Sequence, residues 1–175
     1  ASGVVEKDLN LDIALALGDF LTFFGLSTAY TRTEDISLYT KGTTIHEKKV
    51  SDIENRIAFV KAVENPVYVS IHQNYYSDSR ISGAQVFYSS SDGSELLAKL
   101  IQAYLSEFLE QSGRKSAKVP STVYIMKKLT CPAVIVECGF ISNPAEEAKL
   151  CDKSYQRLIC FAITAGIFDY LTSEG

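Results

Sequence analysis

Ile13, Ala16, Leu17, Phe20, Leu21 and Phe24 recur at i, i+3, i+4 spacing, which gathers them on one stripe of an α-helix. The stripe predicts a helix over residues 6–24, and Gly25 stands where such a helix would stop. "LSTAYTRT" then reads as a short strand, and residues 34–47, with Gly42 and scattered threonines, as a loop. Ile53, Ile57 and Val60 mark the inner face of a second helix over residues 50–63, which Asn65-Pro66 breaks. Directly after that break, "VYVSIHQNYY" runs apolar and β-branched up to His72, the pattern of a buried strand.

"SGAQVFYSS" predicts another strand, and Leu97, Leu100, Ile101, Tyr104, Leu105 and Phe108 a third helix over residues 94–111, ended by Gly113. "TVYIM" reads as a short strand, and "PAVIVECGF" as a strand apolar enough for the centre of a sheet covered on both faces. Asn143-Pro144 followed by Glu146 has the chemistry of a helix start: a capping side chain, a proline at the first position and a carboxylate near the positive end of the dipole. Ile159, Ala162, Ile163, Ile167 and Tyr170 close the chain on a last helix. Helices alternating with buried strands predict an α/β fold: one domain over residues 1–175, its largely parallel twisted sheet carrying helices on both faces.

The 175 residues suffice for one core, and 46% hydrophobic with 22% charged residues is the balance of a globular chain. A net charge of -4 without a Lys/Arg cluster argues against a nucleic-acid partner. No apolar stretch reaches membrane-spanning length, and no signal-peptide pattern opens the chain. Cys131, Cys138, Cys151 and Cys160 form no CxxC pair and read as small buried hydrophobes. The opening "ASGVVEKDLN" lacks a Met and enters a helix almost at once, so an upstream segment is expected.

Three residues stand out chemically. His72 closes a strand where ligands gather in open α/β sheets; a hydrogen-bonded strand-end histidine is the plainer alternative. Glu137 follows three apolar β-branched residues, where an ionised carboxylate needs a metal, a cation or a proton to compensate it. Glu6 stands in the first turn of the first helix, where the dipole alone would explain an acid. Histidine nitrogen and glutamate oxygen suit catalytic zinc, which takes three protein ligands, with a nearby carboxylate as proton acceptor. Glu6 and His72 would be ligands and Glu137 the base, leaving one ligand missing. His46, the second of two histidines, lies in the predicted loop as a solvated residue. There is no GxSxG elbow or Gly-rich phosphate loop, and Cys138 as nucleophile would have only His72 for its base.

Taken together, "EKDLNLDIALAL", "TRTED", "DIENRIAFVKAVE", "VYVSIHQN", "SGAQVFY" and "CPAVIVECGFISNPAEEAKL" resemble the zinc-dependent N-acetylmuramoyl-L-alanine amidases of the Amidase_3 family. The wording around "SGAQVFY" and "VYIMKKLTCPAVIVECGFISNP" is most similar to the spore-cortex, germination-specific branch. The resemblance implies Zn2+ as cofactor, Glu6 and His72 as metal ligands and Glu137 as catalytic base. It implies cleavage of peptidoglycan between N-acetylmuramic acid and L-alanine, and hence an extracytoplasmic, cell-wall location. The family's first strand and the "GHGG"-like turn bearing its first histidine ligand are absent from the sequence. The third ligand is therefore expected upstream, and the domain is expected to be N-terminally incomplete. Arg56 is a candidate for binding a peptide carboxylate, with a solvated helix-face arginine as the alternative. The short stretch between His72 and "SGAQ" leaves little room for a blocking helix, which points to control by localisation or by a regulatory or anchoring protein. A metal-free amidase-like module that binds the wall or a partner is the competing reading, motivated by the missing histidine. A zinc peptidase or deacetylase of other specificity is a third.

Overall fold

At several helix ends of this chain side chains or turns satisfy the loose backbone groups. The computed structural model describes residues 3–173. Helix α1 (Glu6–Phe23) ends in a Schellman turn: Leu26 N–H reaches the Leu21 carbonyl and Gly25 N–H that of Thr22, with Gly25 at φ 86°. Helix α2 (Ile45–Ala62) opens on a capping box between Thr44 and Glu47, five residues before the predicted start, so His46 lies on its exposed first turn rather than in a loop. Strand β1 (Tyr68–Asn74) follows, then β2 (Gln85–Tyr88), α3 (Ser94–Phe108) and β3 (Ala117–Lys118). Helix α4 (Tyr124–Lys128), strand β4 (Ala133–Phe140), α5 (Pro144–Leu150) and α6 (Lys153–Ser173) complete the order. Asn143 caps α5 from ahead of Pro144, as the sequence predicts.

The sheet runs β1-β4-β2-β3. Its β1–β4 and β2–β3 pairings are parallel, while β2 lies antiparallel to β4, so the sheet is mixed. Successive strand residues face opposite sides, and two cores result. On one face Val69 and Ile71 of β1, Val86 of β2 and Val134, Val136 and Cys138 of β4 pack with α1, α3 and α6. On the other, Tyr68, Ala133 and Ile135 pack with Ile57 and Val60 of α2 and Met126 of α4. Helices thus cover both faces, as expected. The contact between α3 and α6 is close enough that a Cβ on Gly166 would stand 2.6 Å from the Cα of Ile101.

Two predicted strands are not strands. "TVYIM" ends in the first three residues of α4 instead; Met126 turns into the α2 cluster, and a five-residue helix is too short to show helical period. Residues 26–33 are extended, and their burial partly alternates, but they join no sheet. A strand persists only where a neighbour takes its backbone hydrogen bonds, and here none does. Among the described residues β1 is an edge strand, and it lines one cavity of about 1050 Å³ with the extended segment.

Candidate active site

Parallel register places His72 directly beside Glu137, and antiparallel register places Gln85 on the other side of Glu137. Residues opposite one another in a ladder point to the same face, so the three form a row across the sheet. Their face is that of Tyr68 and Ile135, opposite to the face of Ile71 and Val136. Glu6 approaches from the first turn of α1. Its Oε1 lies 3.2 Å from His72 Nδ1, both side chains being a little under half exposed. The three residues singled out in the sequence are therefore gathered in one place by α1, β1 and β4.

Burial, reinforced by the negative charge of Glu6, pushes the Glu137 carboxyl up to about 7. Glu137 Oε2 is buried with no hydrogen-bond partner among the described residues. A carboxyl in that state is poised to exchange a proton near neutral pH. The 3.2 Å between Glu6 Oε1 and His72 Nδ1 suits a hydrogen bond; it is also close to the roughly 3.3 Å that two donors on one tetrahedral zinc would span. The oxygen–nitrogen pair beside an unpartnered carboxyl thus fits zinc as two ligands and a base. Among the described residues no group of three His, Cys, Asp or Glu is arranged to hold a metal.

Arg56, on α2, lines the same cavity as His72 and Glu137. Its Nε donates to Asp52 Oδ2 at 2.6 Å and its Nη1 to Thr31 Oγ1 at 3.1 Å, so part of its fork is already held. His46 does not line that cavity. Cys138 points into the α1/α3/α6 core, away from His72, and burial raises its thiol well above the ordinary range. Neither residue joins the constellation.

The structure adds Asn10 and Gln73. Asn10 Nδ2 donates to Glu6 Oε1 at 3.1 Å, the Gln73 backbone N–H to the same oxygen at 3.3 Å, and Gln73 Nε2 to Asn10 Oδ1 at 3.2 Å. Both carried a sequence signal. Asn10 is one helical turn beyond Glu6, and Gln73 is the polar member of the otherwise apolar series Val67, Val69, Ile71.

A family model described as N-acetylmuramoyl-L-alanine amidase matches residues 1–169. The chain is 34% identical over 174 residues to the germination-specific N-acetylmuramoyl-L-alanine amidase of Bacillus subtilis (strain 168), spanning 98% of this chain and 73% of that protein. It is 26% identical over 169 residues to the probable cell wall amidase LytH of Staphylococcus aureus, spanning 97% of this chain and 51% of LytH. Among solved structures, the CwlD amidase from Clostridioides difficile, in complex with the GerS lipoprotein, superposes with a TM-score of 0.92. That match has 34% identity and covers 98% of this chain and 88% of the other.

Proposed function

The chain belongs to the N-acetylmuramoyl-L-alanine amidase family, a family of hydrolases, and from that premise we propose a zinc-dependent enzyme of spore-cortex peptidoglycan. Its reaction is hydrolysis of the amide joining N-acetylmuramic acid to the L-alanine of the stem peptide. The observation that carries this reading is the row His72–Glu137–Gln85 with Glu6 closing on His72, in which one carboxyl is raised to about 7.

In the reaction the Glu137 carboxylate takes a proton from the attacking water and returns it to the nitrogen of the leaving amine. Burial and Glu6 raise this carboxyl in the metal-free fold, and a bound cation would lower it again, leaving it ionised to accept the proton. Glu6 and His72 would hold the metal. Zinc held there supplies Lewis acidity to the scissile carbonyl and to water. Arg56, on the cavity wall, binds a carboxylate of the stem peptide. The chain forms one catalytic domain, with the cavity beside β1 as its substrate site.

The enzyme works outside the membrane, in the wall, in keeping with the cell-wall name of LytH. No helix among the described residues is long and apolar enough to cross a membrane. The lipoprotein bound to CwlD supports a regulatory or anchoring protein as partner. Muropeptide digestion with product analysis tests the reading. Release of stem peptides with free L-alanine amino termini, lost in Glu137→Gln, supports it; release of acetate with the stem peptide still attached overturns it in favour of a deacetylase. A metal-free wall-binding or partner-binding module is the second reading, favoured by the two-donor arrangement. Wall binding without cleavage or zinc uptake would establish it.

A further inference from the structure

Gln73 is only 4% exposed, at the end of β1 on the face turned toward α1 and the apolar core. Burying an amide there is unfavourable unless both of its ends are hydrogen-bonded. Only one end is: Nε2 donates to Asn10 Oδ1 at 3.2 Å, while Oε1 has no partner among the described residues. Stability alone would therefore favour an apolar residue of the same size at position 73. The half-satisfied glutamine is better explained by what its bond does to Asn10.

Asn10 has one oxygen and one nitrogen to offer, and its amide can rotate to exchange them. Because Gln73 donates to the oxygen, the nitrogen is left facing Glu6, and Nδ2 meets Oε1 at 3.1 Å. The Gln73 backbone N–H reaches that same oxygen at 3.3 Å, and His72 Nδ1 lies 3.2 Å from it. Residue 73 thus acts on Glu6 twice, once directly and once through Asn10. Without these donors Glu6 would be a half-exposed side chain in a first helical turn, attracted by the dipole but free to swing between rotamers.

We infer that Asn10 and Gln73 are positioning residues, a polar clamp between α1 and β1 that holds the Glu6 carboxylate against His72. The inference rests on the amidase reading above, in which Glu6 and His72 hold the metal. Groups that orient ligands from behind typically change metal affinity ten- to a hundredfold when removed.

Gln73→Met tests the clamp most sharply, because methionine keeps the unbranched volume and the backbone N–H while removing the amide. Asn10→Ala, at a half-buried position, is the companion variant. For the unaltered protein and both variants, Zn2+ affinity is measured by competition with a chelating dye. The visible spectrum of the Co2+-substituted forms and the melting temperature of the metal-free forms complete the set. The expected result is zinc affinity weaker by about ten- to a hundredfold in both variants, with altered cobalt bands and little change in the melting temperature of Gln73→Met. Zinc affinities within about twofold of the unaltered protein, with an unchanged cobalt spectrum, would overturn the clamp and leave the amidase reading standing. Failure of the unaltered protein to bind zinc, measured on a form extended upstream to include the expected third ligand, would overturn the metal reading, and the clamp with it.

Discussion

The two faces of the sheet are made from alternate residues of the same strands, yet they are built differently. On the α1/α3/α6 face the helices lie along the full length of the strands: Val86, Val134, Val136 and Cys138 meet Ile13, Leu97, Ile101 and Ile163, all fully buried. On the opposite face α2 and α4 cover the amino-terminal parts of β1 and β4, around Tyr68, Ala133 and Ile135. Beyond that cover, toward the carboxyl ends, come His72, Glu137 and Gln85. A fully covered face gives rigidity, and a partly covered one leaves room for polar groups and substrate. Neighbouring residues 72 and 73 face the two sides in turn, His72 beside Glu137 and Gln73 toward Asn10 of α1.

Glu137→Gln is the largest test of that division. The amide keeps the shape and cannot accept the proton, so turnover on muropeptides is expected to fall about 10²- to 10⁴-fold, with circular dichroism and melting temperature largely retained. Comparable turnover in the variant would remove Glu137 from the chemistry. Ile163→Ala probes the other face. Ile163 is fully buried on α6, and its truncation is expected to destabilise the fold by about 2–5 kcal/mol in denaturant titrations, with kcat per folded molecule unchanged. A selective loss of kcat there would erase the distinction between the faces.

The acidity of Glu137 makes the same distinction pH-dependent. Its carboxyl stands at about 7 in the fold against an ordinary value of 4.5, so the folded state binds the proton more tightly than the unfolded chain. The stability this proton confers is complete below about pH 4.5, declines as pH rises, and is lost above about 7. Metal-free Glu137→Gln is therefore expected to be more stable than the unaltered protein at pH 8, by about 1–3 kcal/mol, and no more stable at pH 4. Thermal melts across that range check it, and an equal offset at both pH values would exclude Glu137 as the source. A bound cation would favour the carboxylate, so the acid limb of turnover is expected below pH 7.

Legibility from the sequence followed the length of each signal. The stripes of α1, α3 and α6 run over several turns and were readable throughout; so were β1 and β4, whose apolar runs end at His72 and Glu137. The α4 segment is too short for a period to emerge. Residues 26–33 carry strand-like composition, but whether they pair depends on a neighbour that their own sequence does not describe. At the site, Glu137 was visible as a carboxylate out of keeping with its apolar strand and His72 by its place at a strand end, while Glu6, which the helix dipole alone would explain, was raised mainly by the family resemblance; their meeting is a property of register and of where α1 begins. Gln85 stayed hidden because a polar residue at a strand start is unremarkable until its antiparallel partner proves to be Glu137.

The smallest expected effect concerns the cover of the partly open face. Thr44 Oγ1 accepts from the Glu47 backbone N–H at 3.2 Å, while Glu47 Oε2 accepts from the backbone N–H groups of Thr43 and Thr44 at 2.7 and 2.9 Å. The box starts α2 at Ile45; without it the amphipathic signal alone would begin the helix near Val50, still presenting Ile53, Ile57 and Val60 to the sheet. Thr44→Ala is therefore expected to cost about 1 kcal/mol and to raise amide exchange over the first turns of α2 only. Exchange in α3 and α6 should not change, because their contacts lie on the other face. These hydrogen bonds hold the Glu47 carboxyl down to about 2, so the box works above the ordinary carboxylate range and is lost as the pH falls toward 2. If exchange rose equally in α6, the two layers would unfold as one unit, and the independence of the faces would hold for chemistry but not for stability.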